Sequence, residues 1–329
     1  MAPRLFAIVP ALAAVLTWSL ANGRPSMALE DVKVHTSGST SANVLIYKIA
    51  QEKGFYKEEN LNVLTIAATS QAGIQGLVGG SFDFSQILGQ TSAAILHGAP
   101  LKNVMVFDTK PLFWFFGSRK IKRVQDLKGG KLVGVSSLGA NTDQMTREIL
   151  AMNGIDPRKD VVIQGTGTGA VRLAALIGGS LDAAITNPTE SLVARKQGLN
   201  ELFFYGDYDL NIVSGGAALT ERMLKEKPDL VRRFLRGTLR ALLWFRTNEK
   251  DAVARMAEGF KISPDDALGI YKATLKSYTL DGVISRELQE KIVTFQRKQL
   301  KVEKEIPPET VYDFTILRAL NDERKKSRL

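Results

Sequence analysis

The sequence contains no cysteine among its 329 residues. A chain without thiols forms no disulfide, carries no lipid on a cysteine, and offers neither a thiolate nucleophile nor a sulfur ligand for a metal. Histidine is almost as scarce, since His35 and His97 are the two present. His35 falls in a predicted strand and His97 near a predicted helix end, so we interpret both as structural. We therefore expect no enzyme, no metal site and no cofactor.

Long apolar runs are missing after the first residues. Residues 5–21 form an apolar segment behind Arg4, and Ser26-Met27-Ala28 matches a small-x-small cleavage site. We interpret 1–28 as a secretory signal peptide. An uncleaved membrane anchor is the alternative, which a short run broken by Pro10 disfavours. An exported chain that lacks a cysteine for lipidation indicates a soluble protein of the periplasm.

The formal net charge is +10, and part of the excess lies in Arg324-Lys325-Lys326 and Arg328. We interpret this end as a solvated tail. No basic-aromatic motif accompanies the charge, so we do not expect nucleic acid as a partner.

One seven-residue motif occurs twice. Leu77-Val78-Gly79-Gly80-Ser81-Phe82-Asp83 and Leu176-Ile177-Gly178-Gly179-Ser180-Leu181-Asp182 agree at five of seven positions. Each copy follows a helical pattern and precedes a short apolar strand. A strand–loop–helix–Gly pattern also recurs, over 32–55 and 132–155. A repeat of about one hundred residues predicts two similar α/β lobes that present equivalent loops.

Strands alternate with helices through both halves, which predicts mainly parallel sheets covered by helices. The aromatic segment 107–116 is interpreted as the first connection into the second lobe, and 210–213 as the return. After Thr220 the patterns are helical, beginning with an amphipathic helix over 228–247. We expect these helices to pack on the first lobe. The predicted bounds are 29–112 with 213–329 for lobe one and 113–212 for lobe two.

Ligands of open parallel sheets bind at loops that leave the carboxyl ends of strands. The corresponding loops here contain hydroxyls, amides and glycines, and several lead straight into helices. Helix N-termini present backbone N–H groups to a ligand. Each Ser, Thr or Asn also suits a plain helix cap, so the prediction depends on the whole set. Such loops facing one another suit capture of a solute by hinge closure of two lobes.

Several stretches resemble the nitrate/sulfonate/taurine-type substrate-binding proteins of ABC importers, a group that includes binders of thiamine-pyrimidine precursors. The resemblance runs from about Val32 to Thr247 and is carried by VKVHTSGST, KIAQEKGFYKEENLNV, GLVGGSFDFSQILGQTSAAILHGAPLKNV, VQDLKGGKLVGVSSLGANTD, LAALIGGSLDAAITNPTESLVARKQGLNEL and MLKEKPDLVRRFLRGTLRALLWF.

This resemblance implies an α/β protein with the type II periplasmic binding protein fold. That fold has two doubly wound lobes, two crossovers and C-terminal helices on lobe one. It also implies delivery of a small solute to a membrane permease with its ATPase, and we expect a monomer. The candidate ligand-binding residues are Ser37, Ser39, Thr40, Ser41, Ser70, Gln86, Leu88, Gln90, Ser136, Ser137, Ala140, Asn141, Thr142, Thr186 and Asn187.

The candidate solutes are a sulfonate, a carboxylate and a pyrimidine-like compound. No Arg or Lys falls within the predicted loops, which weakens nitrate and sulfonate. The alternative function is an enzyme that resembles the pyrimidine synthases of the thiamine pathway. Those enzymes use reactive His and Cys motifs, so the missing cysteine argues against it.

Overall fold

The computed structural model describes residues 28–36 and 41–327. Residues 1–27, which hold nearly all of the predicted signal peptide, lie outside the described residues. Within the described part, no helix combines the length and the apolar character that crossing a lipid bilayer requires.

Two five-stranded sheets organise the chain. The first sheet has the strand order β2-β1-β3-β10-β4. Its strands are β1 (Glu30–Thr36), β2 (Leu61–Ala67), β3 (Phe84–Ile87), β4 (Leu101–Val106) and β10 (Gly215–Thr220). The helices between its first four strands are α1 (Ala42–Glu52), α2 (Phe55–Glu58), α3 (Ser70–Gly79) and α4 (Leu88–Leu96). A core of Val, Leu, Ile and aromatic side chains lies between this sheet and its helices.

The second sheet has the equivalent order β7-β6-β8-β5-β9. Its strands are β5 (Trp114–Gly117), β6 (Lys131–Val135), β7 (Val161–Gly165), β8 (Ala183–Thr186) and β9 (Asn200–Phe204). Its helices are α5 (Asn141–Met152), α6 (Gly169–Ile177) and α7 (Pro188–Lys196), with 3₁₀ turns at Val124–Leu127 and Tyr205–Asp207. Separate apolar clusters cover its two faces. The predicted pair of α/β lobes is therefore confirmed, whereas the exact lobe bounds stay a proposal.

The C-terminal helices pack on the first lobe, as expected. They are α8 (Glu221–Glu226), α9 (Pro228–Thr247), α10 (Glu249–Phe260), α11 (Pro264–Ser277), α12 (Arg286–Leu300), α13 (Pro308–Val311) and α14 (Thr315–Lys326). The amphipathic pattern over 228–247 coincides with α9, whose Phe234 stacks on Phe84 of β3 with ring centroids 3.8 Å apart. These helices share one core with the first sheet.

The prediction of mainly parallel sheets was wrong for half of the strand pairs. β10 runs antiparallel between β3 and β4, and β5 runs antiparallel between β8 and β9. We interpreted the β5 residues as part of a connection, and missed β10 because Gly215-Gly216 is typical of a turn. Each sheet thus receives one inserted strand from the segment that joins the lobes.

The repeated motif aligns the same pair of strands in each lobe. The Asp83 carboxylate accepts a hydrogen bond from the Lys33 backbone N–H at 2.8 Å, and the Asp182 carboxylate accepts one from the Leu132 N–H at 2.9 Å. Gly80 and Gly179 adopt left-handed φ values of 81° and 80°, which glycine tolerates without strain. The turn and the carboxylate together align β3 beside β1, and β8 beside β6.

A buried carboxylate joins the two connecting segments. Asp108, just past β4, is 4% exposed and accepts hydrogen bonds from the backbone N–H groups of Ser214 at 2.8 Å and Gly215 at 3.0 Å. Its other oxygen accepts from Asn43 Nδ2 at 2.7 Å, and the Tyr278 hydroxyl donates to Asn43 Oδ1 at 2.6 Å. The Asp108 side chain therefore joins the segment that leaves the first sheet after β4 to the segment that re-enters it at β10.

We expect Asp108→Ala to destabilise the fold by about 3 kcal/mol, because each buried donor left without an acceptor costs about 1–3 kcal/mol. Asp108→Asn is the matched variant, since it keeps the shape and one acceptor oxygen, and should lose about 1 kcal/mol. Urea denaturation of both variants measures the difference. A loss of less than about 1 kcal/mol for Asp108→Ala would contradict the role of Asp108 as the shared acceptor.

The stability contribution of Asp108 should depend on pH. Burial raises the pKa of this carboxyl above 3.8, although the hydrogen bonds from Asn43, Gly215 and Ser214 favour the charged form. The folded state therefore binds this proton more tightly than the unfolded chain, so the contribution is fully present below pH 3.8 and is lost as pH rises through the folded pKa. The stability advantage of the wild type over Asp108→Asn should shrink across that range in parallel urea titrations, and a growing advantage would contradict the assignment.

Candidate functional site

The candidate site lies where the carboxyl ends of the parallel strands face the other lobe. The candidates Gln86, Leu88 and Gln90 were expected in a loop at the end of a strand, but β3 ends at Ile87 and α4 begins at Leu88 with no loop between them. Gln86 therefore belongs to the strand, while Leu88 and Gln90 belong to the first helical turn. Leu88 is fully buried in the apolar core of the first lobe.

The N-termini of α4 and α5 carry no side-chain cap, since Ile87 and Ala140 occupy the capping positions. The first N–H groups of a helix have no intrahelical acceptor. In α4 the Leu88 N–H donates to the carbonyl of Ser214 at 3.1 Å. The N–H groups of Asn141 and Thr142 in α5 have no acceptor among the described residues, and the first turn of α4 has no side-chain cap. Both helices thus present hydrogen-bond donors at the ends that face the opposite lobe.

These two helix starts touch across the lobes. A Cβ atom placed on Gly89 of α4 would lie 1.9 Å from Asn141 Nδ2 of α5. The same amide makes a long contact of 3.5 Å with the carbonyl of Val213, on the returning segment. Further out, Lys196 of α7 lies 3.6 Å from Asp266 of α11. The structure therefore shows the lobes in contact, with the start of α4 against the start of α5.

Two side chains hold the loop that precedes α5. Thr142 Oγ1 accepts from the Ser136 N–H at 3.1 Å and lies 2.6 Å from Ser136 Oγ. Asp143 accepts from the Gly139 N–H at 2.8 Å. The hydroxyls of Ser136 and Thr142 are thus already paired with each other, and Ser137 is exposed.

Thr186 and Asn187 follow β8 in the second lobe. Thr186 is fully buried, and its hydroxyl donates to the carbonyl of Trp114 at 3.2 Å. Asn187 begins α7, and its Nδ2 donates to Glu190 Oε1 at 3.3 Å. A Cβ atom on Gly169 would lie 2.8 Å from Asn187 Nδ2, so this amide packs against the start of α6. These contacts stay within the second lobe.

The remaining candidates lie at helix starts of the first lobe. Ser41 caps α1 by accepting from the Val44 N–H at 3.3 Å, and Ser70 is the first residue of α3 behind its cap Thr69. Three other candidates, Ser37, Ser39 and Thr40, lie outside the described residues.

Three polar atoms around the end of β3 are buried without a hydrogen-bond partner among the described residues: Gln86 Oε1, Gln90 Oε1 and Ser214 Oγ. Gln86 is 4% exposed. Gln86 and Gln90 were among the predicted residues, whereas Ser214 was missed because the strand that follows it was missed.

Arg172, on the otherwise apolar helix α6, was not among the residues predicted from the sequence. It is 2% exposed, and its guanidinium donates to the carbonyls of Ile185 at 2.9 Å and Gly167. Burial lowers the pKa of Arg172, and the nearby Glu190 carboxylate opposes that shift. Arg172 thereby fastens the loop before α6 to the end of β8. A single Arg within the pattern GAVRLAALI was the available signal.

The two histidines occupy different settings. His35 is fully buried, and its ring nitrogens lie 3.0 Å from Ser85 Oγ and 3.3 Å from the carbonyl of Ala68. Burial lowers the pKa of His35. His97 is exposed beyond the far end of α4. Residues 28–36 and 41–327 contain no cluster of three or more His, Asp or Glu side chains able to hold a metal.

Two α/β lobes, two crossovers and helices packed on lobe one define a type II periplasmic binding protein fold. A family model described as NMT1/THI5 like matches residues 41–252. The chain belongs to this NMT1/THI5-like family.

Three proteins similar to this chain have different described functions. The riboflavin-binding protein RibY of Chloroflexus aurantiacus is 25% identical over 265 residues, which cover 75% of this chain and 70% of that protein. The periplasmic aliphatic sulphonate binding protein SsuA from Escherichia coli has a TM-score of 0.67 at 17% identity, covering 86% of this chain and 92% of that one. The desulfurization enzyme DSZB has a TM-score of 0.66 at 14% identity, and the match covers 90% of this chain and 99% of that one. The last two likenesses show the fold alone.

We expect Gly89→Ala to prevent the two helix starts from meeting, because the added methyl group would overlap the Asn141 amide. The overlap falls on the Asn141 amide rather than on backbone atoms, so each lobe should keep its fold while the lobes move apart. Small-angle scattering should then report a larger radius of gyration than for the wild type.

The matched control is Gly259→Ala, in α10, where no atom lies within 4 Å of the added Cβ. It should leave the radius of gyration unchanged and stabilise the helix by up to about 1 kcal/mol. Equal radii for the Gly89→Ala variant and the wild type would contradict the assigned contact.

Proposed function

We propose that this protein is the periplasmic solute-binding component of an ABC importer. It captures a small organic solute, such as a sulfonate, a carboxylate or a pyrimidine-like compound, between its two lobes. The lobes close about the two connecting segments, and the loaded protein delivers its solute to a membrane permease with its ATPase. We further propose that it acts as a monomer and that residues 1–28 direct its export.

The contact between Gly89 of α4 and Asn141 of α5 carries this proposal. It joins two uncapped helix starts from different lobes, beside buried polar atoms of Gln86, Gln90 and Ser214. A ligand in contact with both lobes favours the closed arrangement over the open one by its differential affinity. Hinge closure around a ligand uses a few residues in connecting segments, and the Asp108 hydrogen bonds lie at that place.

The names of similar proteins support this class of function. RibY is described as a riboflavin-binding protein and SsuA as a periplasmic sulphonate-binding protein. These names indicate solute binding for a fold of this kind, and the two solutes differ in charge and shape. We therefore take from them the class of function and leave the solute to the residues of this chain.

The alternative function is an enzyme resembling the pyrimidine synthases of the thiamine pathway. The similar fold of DSZB, described as a desulfurization enzyme, keeps an enzymatic function open for this architecture. This chain has no cysteine nucleophile, and both ring nitrogens of His35 face Ser85 and Ala68. His97 follows the end of α4, about 13 Å along the helix from the candidate site.

A thermal-shift panel on the mature chain tests the proposal. Riboflavin, hydroxymethylpyrimidine, taurine, ethanesulfonate and succinate represent the solute classes. A solute at one hundred times its Kd should add about 2.7 kcal/mol of stability, which raises Tm by several degrees. Calorimetry then measures the affinity of the compound that gives the shift.

Two results would contradict the proposal. One is retention of the full-length chain in the cytoplasm at its unprocessed mass. The other is that no panel compound raises Tm and that protein purified under native conditions releases no small molecule on denaturation. Turnover of a panel compound by the purified chain would favour the enzymatic alternative.

A further inference from the structure

Gln86 is the most unusual polar side chain of the candidate site. It lies at the end of β3, is 4% exposed, and its Oε1 has no hydrogen-bond partner among the described residues. A buried amide oxygen without a donor costs about 1–3 kcal/mol, which a ligand that donates to it would recover. Gln90 Oε1 and Ser214 Oγ, on the adjoining helix turn and segment, share this property.

The N-termini of α4 and α5 supply hydrogen-bond donors beside the acceptor oxygen of Gln86. The N–H groups of Asn141 and Thr142 in α5 have no acceptor among the described residues, and no side chain caps the first turn of α4, which holds Gly89 and Gln90. They would donate to oxygen atoms of a ligand. The site thus presents donors from the backbone beside an acceptor from an amide side chain.

The surrounding segments contain no ionisable residue. This holds for the described segments 41–43, 68–70, 86–91, 136–142, 165–169, 186–188 and 214–216. The charges nearest these segments already have hydrogen-bond partners: Asp108 accepts three hydrogen bonds, Glu190 accepts from Asn187 and Thr189, Asp143 lies 2.6 Å from Arg147, and Arg172 donates to two carbonyls. Burying an unpaired charge is strongly unfavourable. The electrostatics therefore favour an uncharged head group.

We propose that the ligand is an uncharged heterocycle whose head group is a cyclic amide or imide, with its N–H bound by Gln86. The carbonyl oxygens beside that N–H accept from the first-turn N–H groups of α4 and α5. A primary amide carries an acceptor next to a donor, so Gln86 Oε1 accepts from the ligand N–H while its Nε2 donates to a carbonyl oxygen beside it. This inference rests on the proposed function and names the solute class.

Paired probes test the head group. Calorimetry compares riboflavin with 3-methylriboflavin, and uracil with 3-methyluracil, because methylation removes the imide N–H and leaves the carbonyl groups. We expect at least one parent compound to bind, and its methylated partner to bind about ten- to a hundredfold more weakly, as expected when a buried acceptor stays unpaired.

Gln86→Leu tests the residue. It should weaken binding of the parent compound about ten- to a hundredfold, while the Tm of the ligand-free protein stays equal or rises, since the change removes an unpaired buried polar group. Gln125→Leu is the control, because Gln125 is exposed in the 3₁₀ turn at the amino end of β6, away from the site. It should leave the affinity unchanged. A purely structural Gln86 would instead show a lowered Tm with unchanged affinity, which would overturn the proposal.

The other outcomes separate this inference from the proposed function. Binding of taurine or ethanesulfonate, with no binding of either parent heterocycle, would overturn the solute class and support the transport function. Equal affinity for parent and methylated compounds would overturn the head-group contact. Absence of binding to every probe, with no small molecule released by denatured native protein, would overturn both.

Discussion

The structure depends on one carboxylate–backbone interaction that occurs twice. In each lobe an aspartate after a Gly-Gly-Ser turn binds the backbone N–H of the neighbouring strand, Asp83 with Lys33 and Asp182 with Leu132. The residue separation is 50 in both pairs. A one-residue slip would turn every side chain of a strand to the other face of its sheet. By fixing the register, the two aspartates place Ile87 and Thr186 at the equivalent last positions of β3 and β8, with Gln86 one residue before Ile87.

The sequence analysis predicted the parts of the fold that local pattern determines. The repeat, the strand–helix alternation and helix α9 are all visible in short windows. β5 and β10 were not predicted as strands because their pairing is decided by distant residues. Gly216 shows the reason: a Cβ atom there would lie 2.0 Å from the carbonyl oxygen of Met105, so glycine permits the close approach of β10 to β4. From sequence alone, the same Gly-Gly pair indicates a turn.

For the candidate site, the sequence predicted which segments contribute, but not which polar side chains already have a hydrogen-bond partner. Ser41 and Thr142 use their hydroxyls for a helix cap and a loop contact, whereas Gln86 has an unpaired oxygen. Whether a polar atom is paired depends on tertiary neighbours, which residue type and spacing do not reveal. The Asn43–Tyr278 hydrogen bond makes the same point, because it joins residues 235 positions apart.

The insertion of β10 between β3 and β4 also determines the order of assembly. β4 is an edge strand whose neighbour in the sheet is β10, so residues up to 106 lack a partner for it until residues 215–220 arrive. The second lobe is continuous between these points and needs no later strand for its sheet. A chain emerging from its N-terminus can therefore complete the second lobe first, and the lobe that begins the sequence is the last to finish folding.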